Sequence, residues 1–102
     1  SAIAAFGPTV VLSGLLPALA FYCAEKKHDN SKTDKRLVIK AIAHALQSKY
    51  DTSDHIQLFK HCLTNRANSR AIERLTIDIV DASIALKIMV RTYKINESHE
   101  QQ

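Results

Sequence analysis

The sequence predicts an all-α fold: a single compact helical bundle of about four to five helices with a long C-terminal helix. Three observations predict it. Apolar residues in the C-terminal third recur at alternating steps of three and four, the spacing of one helical face. No stretch shows the apolar–polar alternation of a half-buried strand. Glycine and proline are sparse, and Gly7, Pro8, Gly14 and Pro17 all fall near the start of the chain. With 102 residues the chain has the length of one domain, read as a single helical domain over 1–102 with a frayed polar tail, "NESHEQQ", from 96 to 102.

The opening segment carries no charged side chain from Ser1 through Ala24, longer than the ~20 residues that span a bilayer. Gly7, Pro8, Ser13, Gly14 and Pro17 divide it into two pieces. Pro8 fits the first position of a helix, and Pro17 the first turn of a second helix capped by Gly14. In that second helix Leu15, Leu16, Leu19, Ala20 and Cys23 form one face, the pattern of a buried core helix. No basic residues precede the stretch, unlike a secretion signal. A membrane-associated helical protein is the competing reading. The chain opens on Ser1 without an initiator methionine, read as upstream residues cleaved, trimmed or left out.

"HDNSKTDKR", His28 to Arg36, reads as a polar surface loop with a helix start near Thr33 or Asp34. The next helix places Ile39, Ile42, Ala43, Leu46 and Tyr50 on one stripe. "DTSD" then offers Thr52 or Ser53 as caps for a shorter helix with Ile56, Phe59 and Leu63 inward.

The last helix is expected over roughly 69–95. Ile72, Leu75, Ile79, Ala82, Leu86, Met89 and Tyr93 form one row; Ile77, Val80, Ile84 and Ile88 form a second, nearly opposite. Two rows imply a helix embraced by several others, or one row left for another subunit. Asp78 and Asp81 precede Lys87, Arg91 and Lys94, an order that suits the helix dipole. A phosphate-contacting ridge is the functional alternative.

The net charge of +4 favours an acidic partner without specifying one. Cys23 and Cys62 belong to no CxxC pair and read as reduced, buried thiols of a cytoplasmic protein. His28, His44, His55, His61 and His99 form no HExxH, and Glu25 with His28 gives only one Glu-x-x-His. Asp51 and Asp54 suit a helix start, while Asp78 and Asp81 share a face that could hold a cation. Ser13 and Ser83 lack a nucleophile context. The residues therefore point to no enzyme, no metal site and no cofactor. A free-standing nucleic-acid-binding helical regulator would place its turn at "LTNRANSR", but the helix that follows is too apolar on two sides to lie in a groove.

"GLLPALAFYCAEK", Gly14 to Lys26, resembles the Gly-Leu-x-x-Ala-Leu-Ala-Phe-Tyr segment of the small helical subunit of type III-B CRISPR (Cmr) effector complexes. "RAIERLTIDIVDASIALKIMVRTYK" resembles that family's closing helix, with Ile88 and Met89 where members often carry a tryptophan. Members also carry a charged helix ahead of the point corresponding to Ser1, so the resemblance implies one upstream.

The resemblance implies a non-catalytic subunit that stacks along the inner filament of an RNA-guided antiviral complex. Its implied partners are the large subunit, the backbone subunits, neighbouring copies of itself, the guide RNA and the target RNA; no membrane is involved. Resemblance and charge together nominate Lys26, Lys27, Arg70, Arg74, Lys87, Arg91 and Lys94 as the nucleic-acid-binding residues. The tyrosines and phenylalanines fit core positions better than base-stacking platforms.

Overall fold

The computed structural model describes the backbone of residues 1–24 and 30–100 and the side chains of residues 1–24 and 35–94. Six helices follow in order: α1 (Ala2–Ser13), α2 (Leu15–Cys23), α3 (Asn30–Ala45), α4 (Gln47–Tyr50), α5 (His55–Thr64) and α6 (Ser69–Glu100). No strand occurs among the described residues, and the all-α expectation holds. The count exceeds the expected one because a break at Leu46 splits off the single turn α4.

The uncharged opening segment is core. Gly14, at φ 90°, both ends α1 and starts α2: its amide donates to the Val10 carbonyl at 2.8 Å, and its carbonyl accepts from the Ala18 amide at 3.2 Å. Residues with a Cβ are strained at that φ, so the glycine makes the bend accessible. The helical hairpin that results brings Phe6 against Tyr22, ring centroids 5.0 Å apart edge to face. The Tyr22 hydroxyl donates to the Ala2 carbonyl at 2.7 Å, tying the end of α2 to the start of α1. No described helix is long and apolar enough to cross a membrane.

Several local expectations shift. Pro8 lies in the middle of α1, because the helix begins at Ala2. The lost amide costs one backbone bond, and burial of Phe6 and Val10 on the other face holds the helix through it. Pro17 does occupy the first turn of α2. The buried face of α2 is Leu15, Ala18, Leu19 and Tyr22, with Ala20 exposed and Leu16 and Cys23 half-buried. Tyr22 is the reason: its ring against Phe6 and its bond to Ala2 rotate the helix away from the small-residue side.

Helix α3 begins at Asn30, so residues 30–36 are helical where a loop was expected, while His28 and Asp29 lie outside the described residues. Polar residues without proline or glycine do not stop a helix. Val38, Ile39, Ile42 and Ala43 are buried at the centre of the molecule, and Leu46 and Tyr50 pack at its margin.

The cap of α5 is Asp54 rather than Thr52 or Ser53. Its carboxylate accepts from the Gln57 amide at 2.8 Å, while Gln57 Oε1 accepts from the Ser53 amide and hydroxyl, each at 2.7 Å. Thr52 is buried instead and donates to the Ala43 carbonyl at 3.2 Å. With the start moved, Leu58 and Cys62 face inward, Phe59 is half-buried, and Ile56 and Leu63 are exposed, reversing their expected placement.

Helix α6, about 48 Å long at 1.5 Å per residue, reaches Glu100; Gln101 and Gln102 lie outside the described residues. Its first half lies on α1 and α3 and buries Leu75 and Ile79. Beyond Lys87 every described side chain is exposed: the helix leaves the bundle, and Met89 (64% exposed) and Tyr93 (68%) of the expected inner row are not covered.

The contrast between faces is measurable. Ile42→Ala is expected to cost about 2–5 kcal/mol through the cavity it leaves, whereas Ile84→Ser is expected to stay within about 0.5 kcal/mol. Urea unfolding of the two variants checks both.

Candidate interaction surface of the closing helix

Two sets of charges lie along α6, and only one is tied into the fold. At the first, Asp78 is almost wholly buried yet ionised. Tyr50 donates its hydroxyl to Oδ2 at 2.5 Å, Lys49 Nζ lies 2.8 Å from the same oxygen, and Arg74 lies 3.5 Å from Oδ1. The Lys49 and Tyr50 hydrogen bonds, helped by the Arg74 charge, hold the carboxyl below its ordinary range against the opposing effect of burial. Burial, then the bond to Asp78, pushes the Tyr50 phenol up to about 12. Tyr50 also lies against the His61 ring, centroids 5.3 Å apart, which links α5 to the same cluster.

This arrangement removes one sequence expectation. Asp78 turns toward α4 while Asp81 is exposed, so the two carboxylates do not form a shared cation site. Among the described residues no group of three His, Cys, Asp or Glu side chains comes together. Ser83 is buried and donates to the Val80 carbonyl at 2.7 Å. Cys23 and Cys62 are free thiols, and burial pushes both up to about 11, which keeps them protonated at neutral pH.

The nominated cations divide into three groups. Lys26 and Lys27 lie outside the described residues. Arg70 and Arg74 are exposed on the first turns of α6, and Arg74 is partly engaged by Asp78. Lys87, Arg91 and Lys94 occupy successive turns of the projecting half, on one side within about 60° at ~100° per residue. No ion pair among the described residues engages any of these three. Arg66, exposed just ahead of α6, joins the cationic end; its guanidinium donates to the Leu63 carbonyl at 2.9 Å. Sequence reasoning passed over Lys49 and Tyr50 as partners of Asp78, since a pairing across 28 positions leaves no periodic signal.

An all-helical bundle with a closing helix that projects beyond its core, carrying cations and uncovered apolar side chains, defines an interaction protein. The model of the CRISPR-associated protein family Cas_Cmr5 matches residues 1–93, and the chain belongs to that family. It is thus a CRISPR-associated protein of the type that forms the small subunit of type III-B Cmr complexes. No curated protein and no solved structure shows a match to the chain.

The Asp78 cluster gives a pH signature. A depressed carboxyl stabilises the fold at neutral pH, and that contribution is lost as pH falls through and below the ordinary carboxylate range. A raised phenol acts at the other end: Tyr50's contribution is intact below its usual 10.0 and declines as pH climbs toward about 12. Asp78→Asn is expected to lower stability by about 1–3 kcal/mol at pH 7 and to flatten the acid limb. Thermal melts between pH 3 and pH 7, about a unit apart, check the shape.

Proposed function

We propose that the chain is a non-catalytic Cmr subunit that lies in the inner filament and helps hold the guide RNA–target RNA duplex, in cytoplasmic antiviral defence. Family membership supplies the assembly. The observation that carries the RNA-facing part is the line of Lys87, Arg91 and Lys94 on the projecting half of α6. Cations spaced along an extended edge suit a phosphate backbone, whose recognition is electrostatic and independent of sequence.

Side chains already committed elsewhere favour a structural role. Asp78 is engaged by Lys49, Tyr50 and Arg74, and both thiols are held protonated by burial. A general base or nucleophile needs the opposite environment. A free-standing regulator that lays α6 in a DNA groove is disfavoured, because Leu75 and Ile79 bury the first half of that helix.

The test is a native pull-down of the tagged chain, with its proteins identified by mass spectrometry and its RNA sequenced. Other Cmr subunits and short guide RNAs are expected. In complexes reconstituted with the Lys87→Ala, Arg91→Ala, Lys94→Ala variant, target retention is expected to fall, and the salt slope of binding to lessen by about one per lost phosphate contact. Unchanged retention and slope would refute the RNA-facing role. Metal-dependent RNA cleavage by the purified chain, lost on substitution of one of its side chains, would refute the non-catalytic one.

A further inference from the structure

The face of α6 turned away from the bundle has an order of its own. Arg70, Arg74, Ile77, Asp81, Ile84, Ile88 and Arg91 follow one another at strict alternating steps of four and three. At about 100° per residue all seven fall within roughly 100° of arc, and the three isoleucines within about 40°. Their exposures are 45% for Ile77, 44% for Ile84 and 56% for Ile88. Isolated surface isoleucines are ordinary. Three in register along a helix are not, because β-branched residues weaken a solvent-facing helix while gaining nothing from burial. The spacing is that of a helix–helix seam, with one polar position at its centre.

Charge decides what fits the seam. Both ends are cationic, Arg70 and Arg74 at one and Arg91 beside Lys87 at the other, and the one carboxylate on the line, Asp81, lies between. A second copy laid antiparallel and centred on the isoleucines sets Arg74 against Arg91 at both ends. A parallel copy sets Asp81 against Asp81. Both orientations repel. A phosphate backbone would meet the isoleucines over about 17 Å, from Ile77 to Ile88, with nothing there to neutralise it.

We infer that this seam docks an amphipathic helix of a different protein subunit, apolar along one stripe, acidic at both ends of the stripe, with a basic or hydrogen-bond-donating residue near its middle facing Asp81. The inference rests on the chain being an assembly subunit and names the chemistry of one of its protein partners. It separates the two sides of α6: Lys87 and Lys94 lie off the seam for RNA, and Arg91 stands at the border of both surfaces.

The experiment places a photo-crosslinking p-benzoylphenylalanine at position 84, and separately at 88, in the full chain within the native complex, and maps the products by mass spectrometry. The expected product joins either position to a helical segment of another subunit in which acidic residues flank an apolar stripe. Ile84→Ser and Arg70→Glu are each expected to reduce that subunit's co-recovery at least tenfold, and Arg70→Lys to retain it. Circular dichroism unchanged from the parent chain separates this loss from misfolding. Crosslinks to RNA, to a second copy, or to a segment without acidic flanks overturn the inference, as does an assembled complex in which neither position crosslinks. A tagged chain that recovers no Cmr subunits at all overturns the assembly reading, and this inference with it.

Discussion

The buried carboxylate of Asp78 fixes more of this molecule than its size suggests. Once Tyr50 and Lys49 converge on it from α4, with Arg74 from the preceding turn of α6, the rotation of the long helix about its axis is set. Leu75 and Ile79 must then point into the bundle, and Ile77, Ile84 and Ile88 must point out. A helix apolar on more than one side has no strong preference among its faces. A charge that cannot be buried without its partners supplies the preference, because leaving it unpaired is far more costly than rotating one isoleucine into water.

The opposite end of the core is set by a different device. Gly14 bends the uncharged opening segment into a hairpin of two short helices, and Tyr22 closes it by packing on Phe6 and bonding to the first turn. Residues that would otherwise read as one bilayer-length stretch become two helices, each burying one side against α3. The core is thus closed by contacts among α1, α2, α3, α5 and the first half of α6. The second half of α6 extends beyond it, so its cations and apolar side chains serve contacts outside the fold rather than stability within it.

That division suits a subunit whose work is contact. In a guided complex, base pairing selects sequence, and protein subunits contribute backbone contacts and mutual docking. A helix anchored by half its length can present different chemistry on different sides of the other half: cations at Lys87, Arg91 and Lys94, isoleucines at Ile77, Ile84 and Ile88. Since the two sets lie on separate arcs of one rigid rod, they can engage RNA and protein together.

By itself the sequence determined the helical class, the break at Gly14, the long closing helix and the family, because period, punctuation and a contiguous motif are local properties of a chain. It also showed two apolar rows on α6, and left open whether other helices embraced them or one row was spare. Tertiary structure decided that. The outer row is exposed since α1 and α3 cover only one side of α6, and Met89 and Tyr93 are exposed since the bundle ends before they are reached. The same holds for α2 and α5, whose inward faces turned out to be those of Tyr22 and of Leu58 with Cys62. In a short helix several neighbouring arcs are comparably apolar, and the choice among them rests on partners distant in sequence: Phe6 and Ala2 for Tyr22, Tyr50 and Lys49 for Asp78. Periodicity carries no record of such pairings, so only the folded chain could reveal which side of each helix it keeps for itself.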